Sequence, residues 1–264
     1  MDQGQGAAVA KGNLLSHAID ALGEAIVAGR HPVGSTLPPE PALGQALGVS
    51  RTVVREAVKS LAAKGLLVSG PKLGTRVLAA AMWNGFDPDV VAWQARAGLT
   101  GELLRDLQEL RRVVEPAAVR LAARRADAAD MAALEAAYAG MAQAVARGGD
   151  YVPHDLAFHQ GLLRASHNRM MVQVGKALVA LLRTSFELST SRPDAAAMSL
   201  PLHRAVLDAL IARAPQRAER ASRRLIDGAA EDIDAVLAAR RPAPVPAARP
   251  GAVSRPGQGG RRRR

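Results

Sequence analysis

The stretch from Gly34 to Leu78 constrains this chain most, because its punctuation admits one order of elements: helix, tight turn, second helix, hairpin. Pro39 and Pro41 fit only near a first helical turn, where missing N–H groups cost least, and Gly48 ends that helix after Leu47. Ser50 can cap a second helix in which Val54, Ala57 or Val58, and Leu61 recur at helical spacing to face a core. Lys64 and Gly65 stop it. Leu66 to Ser69 and Thr75 to Leu78 read as short strands around Gly70, Pro71, Lys72, Leu73 and Gly74. The pattern predicts a winged helix-turn-helix.

On the far side of the second helix, Arg51, Arg55 and Lys59 are four apart and stack in one stripe of like charge, which a polyanion would relieve. Arginine near the start of such a helix can fork onto guanine O6 and N7 in the major groove, while the other cations hold phosphates and set register. Lys72 and Arg76 make the hairpin a basic wing. A charge stripe alone usually means a solvated helix face. Here turn, stripe and wing agree, and double-stranded DNA is the expected partner.

The 264 residues suffice for two domains, and 48% apolar residues can bury a core. Zero cysteines exclude disulfides and thiolate metal sites, in keeping with a reducing compartment. No apolar run approaches the about 18 residues that a bilayer requires, so a cytoplasmic protein without membrane contact is expected. Residues 240–264 hold eight arginines and no acid, leaving only +3 of the net +11 for residues 1–239. That Pro/Gly-rich tail should be disordered, serving either as a solubilising appendage or as extra phosphate contact that raises affinity for any DNA. The expected division is a flexible N-terminus (1–12), the winged helix (13–79), a linker (80–87), a helical domain (88–239) and the tail.

From residue 87 to 239 only helical periodicity appears, with helices expected near 87–97, 102–125, 127–147, 150–166, 169–191, 199–213 and 215–239, broken at sites such as Gly98, Gly148–Gly149 and Arg192–Pro193. The fold class is therefore mainly α: a winged helix followed by an all-helical antiparallel bundle. Polar residues on its apolar faces mark a ligand site. Arg111 lies within the stripe of Leu104, Leu107, Val114 and Ala118 and needs an anion, either Glu115 or a ligand. Asp155 and His159 share one face, and His203 aligns with Val206, Leu207 and Leu210. One carboxylate and two imidazoles can form a facial metal site, or merely satisfied core hydrogen bonds. Trp83 and Trp93 serve either an inter-domain contact or burial within their own domain.

The segments GSTLPPE and LGVSRTVVREAVKSLAAKGLL, with the glycine-bearing wing, resemble the DNA-binding domain of the GntR superfamily of bacterial regulators. That resemblance implies operator contacts by Ser50, Arg51, Thr52, Arg55, Lys72 and Gly74; Pro41 stands where members often carry arginine, which removes one contact. LQELRRVVEPAAVRLAARRA, DLAFHQGLLRASHN and LHRAVLDAL resemble the FCD effector domain of its FadR branch, together covering nearly all of residues 14–238. The branch implies a homodimer on a palindromic operator and a small carboxylate effector near Arg111, Asp155, His159 and His203. Asn168 matches an FCD position too, against a plain role as a helix cap. Metal-binding members hold a divalent ion, zinc or nickel, with four residues; Asp155, His159 and His203 match three, and Leu225 stands at the fourth. Further similarity, through WNGFDPDVVAWQ and the missing last histidine, is to a sugar-acid operon repressor, which implies an aldonate of the galactonate type as effector. The expectation is a repressor and no enzyme; the alternatives are a regulator answering another carboxylate through a metal, and a metal-dependent hydrolase.

Overall fold

Helix α1 (Gln3–Val27) buries Ala18, Leu22, Ala25 and Ile26, a single face at 3.6-residue spacing, against the recognition unit. The computed structural model describes residues 3–70, 74–192 and 194–239, with side chains from residue 13 onward. Residues 3–12, expected to be flexible, continue the first turns of α1. Helix α2 (Glu40–Leu47) ends at Gly48, whose φ of 66° is the left-handed turn that glycine adopts without a Cβ penalty. Ser50 then caps α3 (Arg51–Ala63), its Oγ accepting from the Val53 N–H at 3.4 Å. Both Ala57 and Val58 face the core, together with Val53, Val54 and Leu61. Strands β1 (Leu67–Gly70) and β2 (Gly74–Val77) pair antiparallel, Leu67 opposite Val77 and Gly70 opposite Gly74. The wing residue Lys72 lies outside the described residues, as do Pro71, Leu73, Pro193 and the 240–264 tail.

After a 3-10 turn at Ala80–Met82, Asp87 caps α4 (Pro88–Ala97). Lys64, at the end of α3, reaches Asp87 at 2.9 Å and Asp89 at 2.8 Å, tying the recognition helix to the start of α4. Adjacent residues of α4 serve different cores. Val90 and Trp93 are buried with the winged helix, Trp93 fully, its Nε1–H donating to Asp20 at 3.0 Å and its ring filling the space that a Cβ on Gly23 would need. Val91 instead packs with Leu107, Leu156, Leu182 and Phe186 of the helical region. Trp83 donates its Nε1–H to the Leu78 carbonyl and packs on the winged-helix core. The helix assigned from sequence to the second domain thus contributes to both cores.

The rest is helical: α5 (Gly101–Arg125), α6 (Ala128–Arg147), α7 (Val152–Ala165), α8 (Arg169–Ala177), α9 (Val179–Ser189), α10 (Ala195–Ile211) and α11 (Pro215–Ala239). Val119, Leu134, Met141, Phe158, Leu162, Leu207, Leu210 and Leu225 form its principal core. The single helix expected over 169–191 is two, broken at buried Leu178 (φ −97°, ψ 8°). The apolar pattern runs straight through that bend, and the nearby Gly175 sits inside α8, where it lets Leu163 approach closely. Helix α10 starts at Ala195, four residues earlier than expected, because Asp194 takes a left-handed turn (φ 65°) and an alanine run, all good helix formers, follows at once. Among the described residues, no helix is long and apolar enough to cross a membrane.

Candidate functional site

Helix α3 presents Arg51, Thr52, Arg55 and Lys59 on its exposed side, with Ser50 exposed at the helix start. Arg51 and Arg55 form no ion pair among the described residues, whereas Lys59 Nζ is held 2.9 Å from Glu56 Oε1, and that hydrogen bond keeps the Glu56 carboxyl below the usual carboxylate range. In the sequence Glu56 carries no mark of this pairing beyond its i,i+3 spacing from Lys59. The stripe is two arginines without ion pairs in the N-terminal half of α3, where the helix dipole also favours phosphate, and one engaged lysine beyond its midpoint. Gly74 is exposed at the hairpin with φ 69°, and a Cβ there would crowd the Thr36 methyl.

The bundle encloses a second polar assembly. Helix α5 contributes Arg111 and Glu115, α7 contributes Asp155 and His159, and α10 contributes His203; all five are buried. Arg111 Nε donates to Glu115 Oε1 at 2.6 Å, and His159 Nδ1 lies 2.6 Å from the other Glu115 oxygen. The Nε2 atoms of His159 and His203 both face Asp155 Oδ1, at 3.3 and 3.0 Å. Arg111 Nη2 sits 3.5 Å from each ring nitrogen of His159, and its guanidinium lies 4.7 Å from the Phe186 centroid. An atom equidistant from both ring nitrogens stacks over the ring, which a guanidinium does readily. Gln108 extends the network, its amide oxygen 3.4 Å from Arg111 Nη1 and its Nε2–H donating to Ser185 at 3.0 Å.

Burial opposes the charges on Glu115, Asp155 and His159, yet their partners prevail. Arg111 and His159 draw Glu115 down to about 2, and Glu115 and Asp155 lift His159 to about 9. Asp155, held by both histidines, is lowered well below the carboxylate range. The resulting pH dependence has a definite sign. His159 stabilises the fold fully below its ordinary value of 6.5, and that contribution is lost as pH rises through 9; the Glu115 contribution is present above 4.5 and lost as pH falls towards 2. Thermal melts of metal-free protein should plateau between about pH 5 and 6.5 and shift downward by pH 9. Identical melting temperatures from pH 6.5 to 9.5 would contradict an imidazolium at His159.

The donor set fits a divalent cation. His159 points Nδ1 at Glu115, and His203 points Nδ1 at the Ser199 carbonyl, 3.0 Å away, so each imidazole is oriented through one nitrogen while the other faces Asp155. With His203 Nδ1 engaged by Ser199, the Nε2 that faces Asp155 Oδ1 at 3.0 Å can carry either a proton donated to that carboxylate or a divalent ion. The three ligand atoms lie within 4.8 Å of one another. Leu225 lines the same cavity, where it offers no donor. Asn168 does not join this group: its side chain caps α8, accepting from the Met170 and Met171 N–H groups, and it lies beside His167 and Arg169 at the surface. Ser199, Thr190 and Asp232 also line the cavity; short polar residues at helix ends and on helix flanks carry no periodic signature in the sequence. The cavity volume is about 20 Å³, room for a water or an ion.

A cationic recognition helix on one side and an enclosed polar cavity on the other define a ligand-responsive DNA-binding protein. The profile of bacterial regulatory proteins of the gntR family matches residues 14–77, and that of the FCD domain matches residues 106–228. The galactonate operon transcriptional repressor of Escherichia coli K12 is 33% identical over 81% of this chain and 94% of its own. A probable D-xylose utilization operon transcriptional repressor of Paenarthrobacter nicotinovorans is 32% identical over 74% of this chain and 78% of its own. The solved structure of Lar, which controls expression of the Listeria monocytogenes agr system, superposes with a TM-score of 0.59 at 15% identity, covering 84% of this chain and 96% of that one, a likeness of fold alone. The chain belongs to the GntR family of bacterial regulators, with an FCD domain; it is a transcriptional regulator and not a hydrolase.

Proposed function

We propose that this regulator represses a sugar-acid catabolic operon as a homodimer in the cytoplasm, occupying a palindromic operator until an aldonate enters the bundle cavity. The observation that carries this reading is the continuity of packing from cavity to head. Phe186 both lines the cavity and shares a core with Val91, and two residues along α4 Trp93 is sunk in the winged-helix core. A cavity that holds one water cannot hold a six-carbon acid, so binding requires α9, α10 and α11 to part. Parting moves Phe186, hence α4, hence the head. The galactonate and xylose operon repressors among its relatives support a sugar-derived effector.

Charge shapes the effector further. Arg111 is paired with Glu115, and His159 with Glu115 and Asp155, so an anion finds no free cation within this group. Asp155, His159 and His203 would hold a divalent ion, which would supply that missing positive charge for a carboxylate and an adjacent hydroxyl. Arg111, over Phe186, and Ser199 are placed to orient the rest of the ligand. A thermal-shift screen of galactonate, other aldonates and plain carboxylates, each with and without Zn²⁺ or Ni²⁺, tests the proposal; stabilisation by simple dicarboxylates but not aldonates would favour a regulator of another carboxylate pathway.

Two further outcomes are expected. Leu225→His adds a fourth donor to the cavity and should tighten Zn²⁺ or Ni²⁺ binding by about one to two orders of magnitude in calorimetry; unchanged affinity would place Leu225 away from the ion. Deleting residues 240–264 should lower affinity for all DNA and flatten its salt dependence while preserving operator preference. Loss of that preference would instead make the arginine tail the reader.

A further inference from the structure

Along α5 a solvent-facing stripe runs the length of the helix: Glu102, Asp106 and Glu109 towards its start, Val113 and Ala117 at its middle, Arg120 and Arg124 towards its end, all exposed. At about 100° per residue these positions stay within about 40° of the direction of Val113, so they share one straight face. The steps between them, four, three, four, four, three and four residues, read the same from either end. Val113 is 71% exposed, and Leu110, Val114 and Leu121 beside it are half-buried. Arg105 and Arg112 lie off the stripe, turned towards α11, where they border a groove with Ile233 and Leu237. The three acids and Arg124 form no ion pair among the described residues, and Arg120 has a long contact of 3.6 Å with Glu219. The face is thus acidic at one end, apolar at its centre and basic at the other.

We propose that a second copy of this chain docks on this stripe, α5 against α5, antiparallel about a two-fold axis at Val113. A face with opposite charges at mirrored positions is complementary to itself once reversed, which is what a two-fold interface requires. The pairing sets Val113 against Val113 of the partner subunit, Asp106 against Arg120 of the partner subunit, and Glu102 against Arg124 of the partner subunit, with both charge pairs repeated by symmetry. A parallel pair would bring acid to acid and base to base. The four charge pairs fix register and direction, while Val113, Ala117 and the half-buried leucines give the centre an apolar contact. This inference rests on the homodimer proposed above and assigns it an interface. At about 1.5 Å of rise per residue, the two Glu102 positions stand about 33 Å apart along the pair, close to the roughly 34 Å turn of DNA that separates half-sites. Each α5 directly follows the α4 that is sunk in the head, so the same stripe spaces the two reading heads.

The test is sedimentation equilibrium and native mass spectrometry on the full chain. Glu102→Arg/Asp106→Arg makes both ends of the stripe basic, and Arg120→Glu/Arg124→Glu makes both ends acidic. Each double variant alone should dimerise about tenfold or more weakly than wild type while keeping the wild-type circular dichroism, since all four side chains are exposed. Mixed in equal amounts, the two should form a heterodimer about as tight as the wild-type homodimer, and the chain carrying all four substitutions should regain self-association. Merely solvated charges would give neither rescue. Homodimers unmoved by either reversal would overturn the stripe as interface while leaving the homodimeric regulator standing, as would a loss that mixing fails to repair. A wild-type chain that stays monomeric at high micromolar concentration would overturn stripe and dimer together.

Discussion

Operator affinity should fall by two to three orders of magnitude in the double variant Arg51→Ala/Arg55→Ala, while binding of effector to the bundle stays as it was. Both guanidinium groups are exposed on α3 and unpaired among the described residues, so nothing must be broken before they reach DNA. A base-reading or phosphate-holding arginine contributes about 1–3 kcal/mol, and two of them separated by one helical turn address neighbouring positions in the groove. Lys59→Ala should cost less, because Glu56 must first release that ammonium. The check is fluorescence anisotropy with an operator selected from a randomised oligonucleotide pool, beside calorimetry for the effector. Equal loss of both activities would mean that the substitutions had unfolded the head and, through Trp93 and α4, disturbed the bundle.

Glu115→Leu should destabilise the bundle by about 3–5 kcal/mol, the largest effect expected of any single change at the cavity. Glu115 accepts from Arg111 and pairs with His159, and all three are buried, so its removal strands the Arg111 guanidinium and leaves His159 with Asp155 alone. Adding Arg111→Met to the same chain should recover much of the loss, since an apolar pair of similar volume no longer requires compensation. Chemical denaturation of the single and double variants measures the coupling. Strict additivity would show that Glu115 and Arg111 do not depend on each other.

Much of the head was legible because its signals are local. Pro41, Gly48, Ser50 and Gly65 each dictate backbone conformation at their own position, and the structure puts α2, its turn, α3 and the hairpin where these residues require. Inward polar residues were equally legible: Arg111, Asp155, His159 and His203 interrupt apolar stripes, and helical period alone turns them inside. What escaped depends on contacts between distant elements. The bend at Leu178 interrupts no apolar spacing, and Trp93 reads as a residue of its own helix until α1 presents Gly23 and Asp20 to it. Glu115 was legible as a partner of Arg111 at i,i+4, but its second bond, to His159 of another helix, has no spacing rule. Asn168 illustrates the reverse: a family position suggested a ligand role, whereas local chemistry made it a cap.

The continuity from cavity through Phe186, Val91 and Trp93 to α3 makes one demand above all, that occupancy of the bundle alters occupancy of DNA. Anisotropy titrations of the selected operator, with saturating galactonate and Zn²⁺ and with neither, measure it directly. Operator affinity should drop about tenfold or more in the wild-type chain and stay constant in His203→Ala, which loses a cavity ligand without touching the head. If a ligand shown by calorimetry to fill the cavity left the wild-type operator isotherm unmoved, the cavity and the reading head would be uncoupled and the account contradicted.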